Sequence, residues 1–159
     1  EGLGQPVAFA LEGVEGVAYF SPRGGRLARE ALLKRLSEAQ REVLVAAFVL
    51  TDREVLEALL QARRRGAEVK VLLETRNLGT SREEALLEEG LEVRQDANPY
   101  TMHHKVMLLH GTYVVTGSYN FSVRAHEVNN ENLLVLKSPS LAERYRKEVL
   151  RLWEAGSPL

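Results

Sequence analysis

Two apolar runs, residues 43–50 (VLVAAFVL) and 68–73 (EVKVLL), each stand beside a stretch with helical spacing, and this alternation most constrains the fold. A near-continuous run of valine, leucine and alanine suits a strand covered on both faces. Residues 17–20 form an earlier strand that ends in the turn Ser21-Pro22-Arg23-Gly24-Gly25; residues 26–40 then carry Leu27, Ala31, Leu32, Leu33 and Leu36 at helical spacing. After residue 50, Thr51 or Asp52 is placed to cap a helix that runs to Arg65 and stops at Gly66. Ser81 with Glu84 reads as a capping box opening a helix that ends near Gly90, ahead of a strand over 91–94. Strand-helix repeated three times predicts an α/β sheet layered with helices.

From residue 103 onward the pattern changes to short strands at 103–109, 113–117 and 132–136, the first two separated by the Gly111-Thr112 turn. A final amphipathic helix is expected from Pro139 or Ser140 to Trp153. No tandem repeat or composition break marks a linker, so the expectation is a single domain over 1–159: a mixed β-sheet with helices on both faces. The proportions, 45% hydrophobic and 27% charged in 159 residues, agree with a core of that size.

Net charge is −1, so no global basic field draws the chain to a polyanion, and nucleic-acid binding would rest on a local patch. The absence of cysteine excludes thiolate nucleophiles, cysteine-zinc sites and disulfides. No apolar run approaches the ~20 residues of a membrane span, so stable membrane insertion is not expected. The chain opens at Glu1 rather than Met, which fits either a processed product that has lost an upstream signal or anchor or a trimmed chain; location is not readable from this, with an exported or periplasmic one favoured over a cytoplasmic one.

Of the four histidines, His103, His104 and His110 fall within eight residues, in the string MHHKVMLLHG. In a strand His103 and Lys105 share a face while His104 and His110 point the other way. An imidazole beside an ammonium is a poor structural pair and a good one for an anion such as phosphate. Downstream, Gly117 permits close backbone approach, Ser118 and Asn120 offer a hydroxyl and an amide to phosphate oxygens, and Glu131 is a candidate to orient an imidazole. Other features admit plainer readings. The run Arg63-Arg64-Arg65 complements a helix dipole or touches a phosphate backbone, and Asn129 and Asn130 bind phosphate or make a turn. His104 and His110 lack the HxH or HxxxH spacing of a zinc site with His126 or Glu127, so no metal is expected.

The spacing His103-x-Lys105, Gly117-Ser118-Tyr119-Asn120-Phe121, Glu131-Asn132 resembles the HxKx4D, GSxN and E motifs of the phospholipase D superfamily. Tyr19-Phe20-Ser21-Pro22, the strand at 43–50 and the ARRRG segment before residue 69 extend the likeness to its single-motif bacterial endonuclease branch. His110 stands where the family has aspartate; strand parity gives it a supporting role, with activity retained. The resemblance implies a covalent phosphohistidine mechanism without cofactor or metal, with His103, Lys105, Ser118, Asn120 and Glu131 catalytic. Arg124 and Asn132 are expected to contact substrate. One chain holds one motif, so the second histidine is expected from a homodimer partner.

The leading functional expectation is a nonspecific, metal-independent endonuclease acting on DNA, with RNA as a further substrate. A phospholipase D or phosphatidyl transferase is the runner-up; it calls for an apolar lip or interfacial helix, and phospholipid is ranked below nucleic acid as substrate. A third reading is a catalytically silent nucleic-acid-binding scaffold.

Overall fold

In the computed structural model, which describes residues 4–74, 78, 82–97, 104–109 and 111–159, the run at 43–50 becomes the central strand β3 (Glu42–Ala47), buried on both sides. Around it are β1 (Val7–Leu11), β2 (Val14–Phe20), β4 (Glu68–Leu73), β5 (Glu92–Gln95), β6 (Lys105–Leu109), β7 (Tyr113–Gly117), β8 (Asn132–Lys137) and β9 (Ser157–Pro158). They form one nine-stranded sheet in the order β1-β2-β8-β7-β6-β3-β4-β5-β9. The pairs β3–β4 and β4–β5 are parallel and the others antiparallel, so the sheet is mixed as expected.

The helices are α1 (Gly25–Glu38), α2 (Arg53–Arg64), α3 (Glu83–Glu88), α4 (Val123–Glu127) and α5 (Pro139–Ala155). Strand alternation divides the core. Val43, Val45, Met107, Leu109, Val115 and Val135 face one way and pack on Leu32 and Leu36 of α1, Val55 and Leu59 of α2 and Leu86 of α3. Leu44, Ala46, Val106, Leu108, Val114 and Leu136 face the other way and are covered by Ala142 and Val149 of α5. Helices therefore lie on both faces.

Several helix ends show how the sequence is read locally. Asp52, not Thr51, caps α2, accepting from Glu54 N–H at 3.0 Å, and Ser138 caps α5 ahead of Pro139. Arg82 precedes α3 without a side-chain cap; the capping role given to Ser81 lies outside the described residues. Arg64 pairs with Glu57 and Glu89, while Arg65 donates to the Leu36 and Ala39 carbonyls at 2.9 and 3.0 Å. The arginine run thus takes the plainer reading: Arg65 satisfies carbonyls at the end of α1 that the helix leaves open.

Two features departed from expectation. β1 forms a hairpin with β2 although its residues VAFAL carry no polar alternation; Phe9 lays its ring over Gly16, where a Cβ would come within 2.3 Å of it. The five-residue α4 intervenes before β8, its backbone pressed so close to α1 that a Cβ on Gly25 would meet the His126 carbonyl at 1.7 Å.

Trp153 fastens α5 to the β4–β5 side of the sheet. Its ring packs on Leu72, lies 4.7 Å beneath the Arg94 guanidinium, and its carbonyl accepts from Arg94 at 2.8 Å. Trp153→Ala is expected to cost about 3–5 kcal/mol, read as a lowered urea midpoint with unchanged slope.

Candidate active site

β2, β3, β4, β5 and β7 run in one direction and β6 and β8 in the other, so the last residues of the first five meet the first residues of the other two at one end of the sheet. The motif residues gather there. Lys105 opens β6 opposite Ala47, its ammonium 5.3 Å from the centre of the Phe48 ring. His104 is exposed, and its carbonyl accepts from Phe48 N–H at 2.9 Å. It lies on the α5 side: Glu148 there is held below the ordinary carboxylate range chiefly by the Arg151 hydrogen bond, with the field of His104 adding to it. His104 therefore points away from the face of Met107 and Leu109 that Lys105 shares, as strand parity requires. His103 and His110 lie outside the described residues.

Gly117 ends β7 at φ +130°, and a Cβ there would sit 2.4 Å from the Asn132 carbonyl. This close approach joins Ser118 and Asn132 in a reciprocal set: Asn132 N–H donates to Ser118 Oγ (3.0 Å), and Ser118 N–H reaches the Asn132 carbonyl (3.1 Å) and Oδ1 (3.3 Å). The Ser118 hydroxyl keeps its own proton to donate, whereas Asn132 Oδ1 is directed at the backbone of the motif.

The chain then crosses the opening of β6. Phe121 N–H donates to the Val49 carbonyl (3.3 Å), and the Phe121 carbonyl accepts from Thr51 N–H (2.9 Å) and Asp52 N–H (3.0 Å). Segment 118–121 is thus pinned to β8 at one end and to the loop after β3 at the other. Between the pins Asn120 keeps a buried Oδ1 without a hydrogen-bond partner among the described residues; that oxygen accepts, so the part of the amide that suits a phosphate oxygen is its NH2.

Glu131 is half-buried just before β8, and sequence reasoning did not single out what holds it. Ser21 N–H donates to the Glu131 carbonyl (2.9 Å), while Ser21 Oγ accepts from Glu131 N–H (3.1 Å) and donates to the Asn129 carbonyl (2.8 Å). Asn129 accordingly shapes the turn. Arg124 is exposed at the start of α4.

Sequence reasoning also missed the support beneath the site. Asp52, 1% exposed, receives two hydrogen bonds from Arg29 of α1, both 2.7 Å, and Arg29 also reaches Glu54 at 2.9 Å. Burial opposes ionisation of Asp52, but the bonds and charge of Arg29, with the N–H groups of Glu54 and Val55, prevail and hold its carboxyl below the usual range. Tyr119 is buried beside the pair with its hydroxyl unpartnered among the described residues, and burial, with the nearby Asp52 charge, pushes its phenol up. His126 lies on α4 next to Glu127; among the described residues, no three histidine or carboxylate side chains converge as metal ligands.

An open mixed sheet flanked by helices, with a lysine, a GSYN segment and a glutamate gathered at one end, defines a phospholipase D-like protein. The family model described as "Cardiolipin synthase, PLD-like domain" matches residues 32–153, and the chain belongs to that family within the phospholipase D superfamily. It is 35% identical over 129 residues to a mitochondrial cardiolipin hydrolase of Xenopus laevis, covering 80% of this chain and 61% of the relative. It is 32% identical over 128 residues to a phospholipase D of Rickettsia typhi, covering 79% and 62%. The chain thus spans about three fifths of these curated relatives. Among solved structures it resembles Nuc of Salmonella typhimurium, a phospholipase D family member, with TM-score 0.84, 29% identity and coverage of 92% of this chain and 98% of Nuc.

These relatives overturn the ranking of phospholipid below nucleic acid, since they are named for lipid hydrolysis. The physical reason is that both substrates present the same diester to the motif, which carries no information about what the ester joins. Around the motif, Phe20, Val123 and Val128 are 47%, 41% and 56% exposed.

Gly117→Ala is expected to destabilise the protein and separate β7 from β8, read as lost protection from exchange at the Ser118 amide. Because the folded carboxyl of Asp52 titrates below its unfolded value, its contribution is complete above pH ~4 and disappears as pH falls through the folded value. Asp52→Asn is expected to lower stability by about 3–5 kcal/mol at pH 7, with the gap to wild type closing on acidification in urea titrations.

Proposed function

We propose that this chain is a phosphodiesterase of the phospholipase D type whose substrate is a phospholipid of the cardiolipin class. The observation that carries the reaction type is the segment 118–121 pinned across the opening of β6, which holds the Ser118 hydroxyl and the Asn120 amide, both able to donate to phosphate oxygens, at the end of the sheet where Lys105 and Glu131 also lie. The lipid reading is supported by the cardiolipin hydrolase and phospholipase D relatives and by exposed Phe20, Val123 and Val128, which supply the apolar lip a lipid substrate calls for.

In the proposed reaction an imidazole nitrogen of His103 attacks phosphorus and a phosphorus–oxygen bond to the alcohol breaks. His103 of a second copy gives its proton to the leaving oxygen. That second imidazole then takes a proton from water, whose oxygen displaces the first histidine and releases the phosphomonoester. Lys105 and Ser118 donate to the phosphorane oxygens, and Asn120 presents its amide to the same group. Glu131 orients an imidazole. Arg124 meets the substrate beyond the scissile phosphate. The reaction belongs to a homodimer, because one chain carries one such histidine.

Nucleic acid is the second reading, supported by the likeness to Nuc. Vesicles containing cardiolipin and, separately, single-stranded DNA are to be incubated with the protein in EDTA. Release of a phosphomonoester lipid that falls more than about 100-fold in His103→Ala is the expected result. Cleavage of DNA alone, declining steeply with added salt, moves the substrate to nucleic acid; cleavage of neither, or equal cleavage by both proteins, removes the phosphodiesterase reading.

A further inference from the structure

Segment 118–121 reaches the phosphate site as a bridge, and its two ends are held by different means. At the β8 end the holding atoms belong to Asn132, a neighbour in the motif. At the other end they are the backbone N–H groups of Thr51 and Asp52, both bound to the Phe121 carbonyl, with Leu50 paired to Phe121 as an isolated parallel bridge. Those two N–H groups lie at the entry of α2, whose position follows from the Asp52 side chain. Asp52 is itself clamped by Arg29, whose Nε and Nη2 each lie 2.7 Å from a carboxylate oxygen. Tyr119 of the segment is 2% exposed and close enough to the pair to feel the charges of Asp52 and Arg29.

We propose that the Arg29–Asp52 pair is a positioning device for the reaction, fixing Asn120 at the phosphate through the backbone contact between residues 51–52 and Phe121. The geometry favours this over a purely structural role. Arg29 is the α1 residue that, among the described residues, ties this helix to the entry of α2 through charged bonds, to Asp52 and Glu54, and the pair sits at the catalytic end behind the pinned carbonyl. A bidentate guanidinium–carboxylate fork fixes both distance and orientation, and a single ammonium fixes only distance. The pair's role rests on the phosphodiesterase reading, and its effect on the segment can be measured without that reading.

The test compares wild type, Arg29→Met, Arg29→Lys and, as a control, Arg146→Met. Arg146 makes an equivalent fork to Glu42, at 2.7 and 3.1 Å, at the start of β3 and so at the opposite end of the sheet. Hydrogen exchange at the Thr51 and Asp52 amides and phospholipid turnover are measured at a temperature where circular dichroism shows each variant folded. Arg29→Met is expected to accelerate exchange at both amides and lower kcat between about 10- and 100-fold, with KM within about 2-fold of wild type. Arg29→Lys is expected to recover part of kcat. Arg146→Met is expected to lower Tm while keeping kcat and the slow exchange.

Unchanged exchange and kcat in Arg29→Met, or an equal loss of kcat in Arg146→Met, overturns the proposal. If Arg29→Met does not fold, Arg29→Lys carries the same comparison, with wild-type kcat and exchange as the overturning result. If wild type cleaves neither lipid nor DNA, the functional reading falls, and exchange at residues 51 and 52 still decides whether the pair holds the segment.

Discussion

Gly117 brings the ends of β7 and β8 so close that no side chain fits between them, and the order of the catalytic end follows from that contact. With a Cβ excluded, the Asn132 carbonyl takes the N–H groups of both Ser118 and Tyr119, at 3.1 and 3.2 Å. The chain leaving β7 is thereby turned off the sheet's plane and sent across the opening of β6, toward the loop after β3. An ordinary strand end would have continued beside β8 and left Asn120 far from Lys105. The glycine of the GSYN motif is in this sense a topological element as much as a permissive one.

Rigidity on that crossing comes from backbone bonds, and the side chains Ser118 and Asn120 are consequently free of most structural duty. Ser118 Oγ accepts one bond and keeps its proton; Asn120 Oδ1 is buried and unused among the described residues. A buried amide oxygen without a partner costs roughly 1–3 kcal/mol, and a phosphate oxygen, itself an acceptor, does not relieve that cost; what the amide offers a phosphate is its NH2. The buried hydroxyl of Tyr119 is a second such cost, a few residues from the Arg29–Asp52 pair. Unmet polar groups therefore concentrate at the end of the sheet where the motif lies.

Much of this was legible in the sequence, and the reason is periodicity. β4 and β7 fall on the residues expected, because Glu68–Leu73 and Tyr113–Gly117 carry dense apolar patterns bounded by glycine. The motif residues were legible through their spacing, which is how Lys105, Ser118, Asn120 and Glu131 were named before any geometry. β1 was not, since Val7–Leu11 is mostly exposed and shows no two-residue alternation to read. α4 was missed because five residues hold barely more than one helical turn. The clamp of Ser21 on Glu131 spans 110 positions and the Arg29–Asp52 fork spans 23, so neither leaves a local trace. The ranking of diester substrates was not legible for a different reason: the motif reads only the diester, and the exposure of flanking side chains such as Phe20 and Val123 is a property of the fold.

Charge placement bears on that preference. The chain carries a net charge of −1, and much of its arginine is committed internally: Arg26, Arg29, Arg35, Arg64, Arg146 and Arg151 pair with carboxylates. Arg65 and Arg94 are taken up by main-chain carbonyls. A protein that grips a long polyanion commonly neutralises several phosphates with free cations along a track. At the motif end of the sheet Lys105 and the exposed Arg124 are cationic, while the surroundings offer Phe20, Val123 and Val128. On the proposed lipid reading, a substrate with its phosphate at one point and hydrocarbon beside it needs no such track and gains from the apolar flank.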